Sequence, residues 1–285
     1  NVIVDALVCP NGEKSLFGNL QFKPGTVFFI GDSTSSDIQT KVSKLKLEYD
    51  LVFCDGNHEY EYVKKDYEYY SKLVKPGGYF LSFSSPRLYH ALAMAVDLAG
   101  FEIRDSINWV YTQSMPKGMK VNHIIDKLNK DDKVKEELKK EYEFFKTPQI
   151  KSCHEPICVA MKPIKKTFLL NELDFKTGLI NFSTKVGIKN DKIIANVITN
   201  EEIDLNYDNN FLISKVTKKE KGNIDHPTMK PVELLEHLIK IFSKKGSIVC
   251  DPFMGSGSTG VACINLDRKF IGIEIDKNYY NMSVK

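Results

Sequence analysis

One stretch limits the possible folds more than any other: SIVCDPFMGSGSTGVACINLDRKFIGIEID, residues 247–276. It reads as a short apolar strand, a glycine-rich turn, a helix, and a second strand that ends in acid. Gly255 and Gly257 allow the backbone to approach a ligand closely. Ser256, Ser258 and Thr259 offer hydroxyls and amides at the start of a helix, where polar and anionic groups bind well. Glu274 follows Gly255 by 19 residues, the position from which the second strand of a nucleotide-binding β-α-β unit presents a carboxylate to ribose hydroxyls. The spacing is not GxGxxG and no Walker lysine follows, so dinucleotide and ATP readings are disfavoured. A bare strand-to-helix turn would leave Asp251 and Glu274 unexplained.

The remainder alternates in the same way. VFFIG (27–31), LVFCD (51–55), YFLSF (79–83) and FEIRDSINWVY (101–111) have strand character. EYVKKDYEYYSKLV (61–74), PRLYHALAMAVDLAG (86–100), the charged run 121–146 and PVELLEHLIKIFS (231–243) have helical spacing. KPGG (75–78) breaks the first helix before its strand, and Gly100 suits a helix C-terminus. Strands alternating with helices predict an α/β fold whose mostly parallel sheet is covered by helices on both faces. Residues 164–222 are rich in Asn, Lys, Asp and Thr with weak periodicity, and read as a small insertion within a single domain spanning 1–285. The chain begins at Asn1 rather than a methionine, as a trimmed piece of a longer protein would.

With 285 residues, of which 42% are hydrophobic, the chain can bury one large core. A net charge of +3 permits an anionic partner without demanding one. The six cysteines have no disulfide-framework spacing. Cys54 and Cys250 fall inside apolar runs, as reduced core thiols do. Cys153, His154 and Cys158 lack a second pair to complete a tetrahedral set, so no metal is expected. No apolar run approaches the roughly 18 residues of a membrane span, and no signal peptide is visible. A cytoplasmic setting follows as the expectation.

DPFMGSGSTG followed by FIGIEID resembles the S-adenosylmethionine-binding motif of amino-type DNA methyltransferases, whose usual form is DPF-x-GSGTT. HPTMKPVELLEHLIK (226–240) is similar to the HPT-x-KP segment that precedes it in the permuted beta arrangement of that family. Residues 81–121 and HEPICVAMKP (154–163) look like the middle region of phage and bacterial members. The resemblance implies a Rossmann-like class I methyltransferase fold. In it the catalytic strand comes first, the target-recognition segment (here 164–222) next, and the cofactor motif last. It implies that Asp251, Pro252, Phe253, Gly255, Ser256, Gly257, Ser258 and Thr259 hold the methionine end of S-adenosylmethionine, and that Glu274 holds the ribose. His226, Pro227, Thr228 and Lys230 would close over the methionine. Double-stranded DNA is the implied partner. A recognition lobe of about 60 residues is small, which favours a homodimer or an active partner subunit.

LVFCDGNHEY (51–60) is the departure. The family's catalytic strand ends in Asp-Pro-Pro-Tyr or a close variant. An exocyclic amine is a poor nucleophile because its lone pair is delocalised into the ring. The site therefore accepts hydrogen bonds from the amine, and an aromatic residue stacks on a base taken out of the helix. Here only Asp55 matches. Gly56 and Asn57 replace both prolines, and His58 stands where the aromatic belongs. Three readings stay open. Asp55 accepts from the amine while His58 or Tyr60 stacks. Or the acceptor is not a base, since residues 29–78 also resemble small-molecule methyltransferases with Asp-Gly-x-His-x-Tyr at this strand end. Or the fold binds cofactor or a partner without turnover. Carbon-5 cytosine methylation needs a Pro-Cys nucleophile, which the chain lacks. Lys117 and Lys120 are candidate phosphate contacts in the loop after residue 111, and the lysine-rich run 214–221 is a second candidate edge. Trp109 and Tyr111 read as core, and His90 as a satisfied structural histidine.

Overall fold

A computed structural model describes residues 7–8, 26–55, 60–111, 118–148, 150–183, 194–199, 211–213, 216 and 229–284. In chain order these form β1 (Leu7–Val8), β2 (Val27–Ile30), α1 (Ser36–Lys44), β3 (Tyr49–Cys54), α2 (Tyr60–Leu73), β4 (Val74–Phe83), α3 (Tyr89–Leu98) and β5 (Glu102–Val110). Then follow α4 (Asn122–Ile125), α5 (Asp132–Glu141), β6 (His154–Met161), α6 (Phe168–Phe175), β7 (Val197–Thr199) and β8 (Phe211–Leu212). The C-terminal part comprises α7 (Val232–Phe242), β9 (Ile248–Asp251), α8 (Ser258–Asn265), β10 (Lys269–Glu274) and α9 (Lys277–Ser283).

The strands make one sheet in the order β1-β2-β10-β9-β3-β4-β6-β5-β7-β8. Only β1 and β6 run against their neighbours; the other pairings are parallel. Alternate side chains of the central strands feed two cores. Leu51 and Phe53 point to the face covered by α7 and α8, with Leu234, Leu238, Ala262 and Cys263. Val52 and Cys54 point to the face covered by α1, α2 and α3, with Ile38, Val42, Tyr67, Tyr70 and Val96. Helices therefore lie on both faces, as expected. Each fully buried Leu, Ile or Phe is worth roughly 1.5–3 kcal/mol, and α7 alone buries seven residues, from Leu234 to Phe242.

The chain order matters for the site. From β9 the chain passes to β10 on one side, and from β3 it passes to β4 on the other. The gap between β9 and β3 is thus a topological switch point, and ligands of open parallel sheets bind outside the carboxyl ends of strands at such a point. Asp50, 4% exposed, holds the two strands in register: its carboxylate accepts from the Ile248 amide at 2.7 Å and pairs with Lys75 at 2.8 Å.

Several expectations are corrected. KPGG does not separate helix from strand: α2 ends at Leu73 and β4 begins at once, at Val74, so Lys75–Gly78 belong to β4. The run 121–146 is two helices, α4 and α5, separated by the mostly polar residues 126–131; Asp131 turns to extended geometry (ψ 149°) and starts the second. His90 is exposed on α3 rather than satisfied in a core. The described part of 164–222 is not all loop: it supplies α6 and two strands that extend the sheet. α6 buries Asn171 and Glu172 while Leu169 and Leu173 stay 63% and 57% exposed. Asn171 Nδ2 donates to the Pro76 and Thr177 carbonyls, and Glu172 pairs with Lys244. Strand β6 was visible only as part of a resemblance. Cys54 and Cys250 are buried free thiols, as read from the sequence. No helix among the described residues is long and apolar enough to cross a membrane.

Candidate functional site

Asp251 ends β9 and organises the turn that follows. One carboxylate oxygen accepts from the Phe253 amide at 2.9 Å and the other from the Thr259 hydroxyl at 2.6 Å. Burial pushes the Asp251 carboxyl up to about 7, against the pull of those two bonds, with Asp55 and Glu274 adding repulsion. Glu274, at the end of β10, accepts from the Gly255 amide and the Asp276 amide, each at 2.8 Å. Burial raises its pKa, and these amides partly offset the effect. A carboxylate has about four lone-pair sites, so Glu274 retains capacity for ligand hydroxyls.

The turn needs its glycines. Gly255 and Gly257 have φ of 53° and 85°. Gly257 also caps α8, and a Cβ there would stand 2.8 Å from the Ser283 Cβ. Gly257→Ala is expected to lower stability by roughly 1–3 kcal/mol and to weaken ligand binding at the turn. Thermal melting and calorimetry on the same preparation check both effects.

Opposite the turn, Asp55 follows the last residue of β3. The strand end is pinned from beneath: Ser82 Oγ donates to the Cys54 carbonyl at 3.0 Å and shares a 2.7 Å bond with the buried Tyr67 hydroxyl. Lys230 Nζ lies 2.7 Å from Asp55 Oδ2 and 3.4 Å from Glu155 Oε2. It also sits over the Phe83 ring, 4.9 Å from its centroid. Burial works against the Lys230 charge, but the attraction of Asp55 and Glu155 outweighs it, and the pKa is raised. The resemblance implies a place for Lys230 over the cofactor's methionine; in the structure its ammonium bonds the strand-end acid.

Turn and strand end line one cavity of about 310 Å³. Of the residues singled out from the sequence, Asp55, Lys230, Asp251, Phe253, Gly255, Ser256, Ser258, Thr259 and Glu274 line it. Pro252 and Gly257 shape the turn behind them. Its apolar walls come from Phe53, Phe83, Met229, Leu235, Met254 and Ile275; Met229, Leu235, Met254 and Ile275 fall inside the two motifs that carry the resemblance, whereas Phe53 and Phe83 read as strand residues. Asp276 and Tyr279 also border it. Lys120 is exposed and bridges to the backbone of Lys146, on the excursion between β5 and β6. Trp109 is core: it is 2% exposed and its indole N–H donates to the Ile213 carbonyl. His58, Lys117, His226, Pro227 and Thr228 lie outside the described residues, as does the side chain of Tyr60, and so does most of 214–221.

These groups suit S-adenosylmethionine. A buried carboxyl that resists ionisation gains from a cationic ligand group, Glu274 suits a ribose diol, and the apolar walls suit a nucleoside and thioether body.

Comparisons with known proteins agree with this geometry. A family model described as DNA methylase matches residues 55–285, and a second, described as methyltransferase domain, matches residues 21–82. The Type II methyltransferase M.HindIII of Haemophilus influenzae is 26% identical over 218 residues, covering 75% of this chain and 64% of that protein. M2.DpnII of Streptococcus pneumoniae is 48% identical over 71 residues, covering 25% of this chain and 26% of that one. The chain thus spans less than two thirds of the length of these curated relatives. The crystal structure of the M1.HpyAVI–SAM complex superposes with a TM-score of 0.56 at 25% identity, covering 90% of this chain and 96% of that chain. The cytosine-N4-specific PvuII DNA methyltransferase has a TM-score of 0.59 at 15% identity over 92% and 86% of the two chains, a likeness of fold. The DNA methylase model runs from Asp55 through the Lys230 segment and the whole glycine turn, and the chain belongs to the DNA methylase family.

Proposed function

We propose that this chain transfers a methyl group from S-adenosylmethionine to an exocyclic amino nitrogen of adenine or cytosine in double-stranded DNA. The observation that carries the reading is that Asp55 and the Gly255–Thr259 turn line the same cavity. Bound there, S-adenosylmethionine would supply an electrophilic methyl on a sulfonium. Asp55 accepts a hydrogen bond from the incoming amine, which turns the nitrogen lone pair toward the methyl. Transfer would form the N–C bond as the S–C bond broke, leaving its electron pair on sulfur, and this chain's part would be to take the nitrogen's proton at Asp55 or pass it to water. No covalent enzyme intermediate forms. His58 or Tyr60 stacks on the extruded base.

The order of catalytic strand first and cofactor turn last supports the permuted beta arrangement. Target recognition falls to residues 164–222, with Lys117 and Lys120 on backbone phosphates and a homodimer or partner subunit completing the surface. The cytoplasm of a prokaryotic cell or phage-infected host suits such work. The test is binding of S-adenosylmethionine by calorimetry, then incubation of labelled cofactor with mixed genomic DNA. Binding followed by label in DNA is expected; binding with no label in any DNA overturns the DNA reading.

A general methyltransferase model matches residues 21–82 without naming an acceptor, and the likeness of residues 29–78 to small-molecule methyltransferases supports a second reading, a small-molecule acceptor. In the same assay it predicts label in the low-molecular-mass fraction of a cell extract and none in DNA.

A further inference from the structure

Glu155 has no part in the chemistry above, yet its side chain is held toward it. It lies near the start of β6, two strands from β3, and β6 is the antiparallel strand, so its N-terminus shares an edge with the C-terminal ends of β3 and β4. Tyr111 fixes one oxygen: its hydroxyl donates to Glu155 Oε1 at 3.2 Å. The other oxygen faces the Lys230 ammonium at 3.4 Å. Lys230 therefore reaches across the ends of three strands, touching Asp55 just past β3, the Phe83 ring on β4 and Glu155 on β6. Only 13% of the lysine side chain is exposed, against 29% for Asp55 and 26% for Glu155.

This arrangement meets a conflict in the proposed reaction. Asp55 Oδ2 accepts from Lys230 at 2.7 Å, so an acceptor N–H that engages the same carboxylate competes with the ammonium for its charge. A largely buried ammonium cannot simply be abandoned, because an unpaired buried charge is costly. A second carboxylate less than one ångström farther away removes the difficulty, and the aromatic face of Phe83 favours the cation along the way.

We propose that Glu155 is a positioning residue of the transfer site: it is the second seat of the Lys230 ammonium, which shifts toward Glu155 when an acceptor N–H engages Asp55. The inference rests on the reading of Asp55 as the group that meets the amine. Glu155 itself touches neither acceptor nor cofactor and acts through Lys230. The raised pKa of Lys230, to which both carboxylates contribute, agrees with a shared cation.

The test uses Glu155→Gln and Glu155→Asp in the full chain. Glu155→Gln is expected to lower kcat for methyl transfer to genomic DNA about tenfold or more, while the KM for DNA and the Kd for S-adenosylmethionine stay within about twofold. Glu155→Asp, which keeps the carboxylate, is expected to recover most of the loss. A pH titration of the Lys230 side chain, followed by ¹³C NMR at Cε, is expected to give a lower midpoint in Glu155→Gln, because one of the two groups that raise it is gone. Unchanged kcat overturns the proposal, as does an equal loss of cofactor binding and melting temperature, which would make Glu155 a structural prop. Should the wild-type chain bind cofactor and methylate no DNA, the function reading fails while the shared cation is still decided by NMR. A lowered midpoint upholds that sharing, and an unchanged one overturns it.

Discussion

Asp55→Ala is expected to lower methyl transfer by about 10²–10⁴-fold while leaving S-adenosylmethionine binding within a few-fold. The side chain stands at the end of β3 across the cavity from the glycine turn, so its removal leaves Asp251, Glu274 and their amide partners in place. What is lost is the acceptor for the incoming N–H, together with the nearer partner of Lys230. Asp55→Asn is the informative companion. It keeps one acceptor oxygen, and the loss is expected to be smaller than with alanine. Single-turnover transfer of a labelled methyl group, alongside calorimetry, separates the two effects. An alanine variant with full activity would show that the acid at this strand end is not the group that meets the acceptor.

The second large effect lies at Asp251. Its carboxyl, ordinarily near 4, is held at about 7 by burial. The sign follows from which state binds the proton more tightly. The folded protein does, so the free chain loses stability as pH rises from about 4 to about 7, and the cost is complete above that window. A cationic group of S-adenosylmethionine reverses the preference by favouring the carboxylate. Cofactor affinity is therefore expected to rise with pH, by up to about tenfold per unit below 7, and to level off above it. Proton release should accompany binding. Calorimetry in buffers of different ionisation enthalpy measures both. In Asp251→Asn the pH dependence should shrink to what Glu274, whose carboxyl burial also raises, contributes. Asp251→Ala should weaken binding at every pH, because the Phe253 amide and Thr259 hydroxyl lose the group that sets the turn. A wild-type affinity flat between pH 5.5 and 8 would rule out this role.

The parts of the site that could be read from the chain are those whose chemistry is local. Asp251, the Gly255–Thr259 turn and Glu274 fall within 24 consecutive residues, and their hydrogen bonds close within the same β-α-β unit. Positive φ at Gly255 and Gly257 is likewise a local demand, met by local residue type. Strand β6 was hard to see for a physical reason. HEPICVAM is buried on both faces from Pro156 onward, so it shows no alternation, and Pro, Cys and Ala dilute its β-branched content. The short strands β7 and β8 carry too few residues to show any period. α6 misled because its leucines face outward while Asn171 and Glu172 are held by partners distant in sequence.

By itself the sequence determined the class of fold, the glycine-rich turn flanked by two acids, and the strand-end acid that departs from its family's pattern. These depend on periodicity and on neighbours a few residues apart. Only the tertiary structure decided what Asp55 meets. Lys230 is 175 residues away in the chain, Glu155 comes from β6, and Tyr111 follows the end of β5. Their convergence depends on β6 running antiparallel beside β4, so that its first residues arrive at the edge where β3 ends. Strand order and direction come from the packing of the whole sheet, and no local stretch of sequence encodes them.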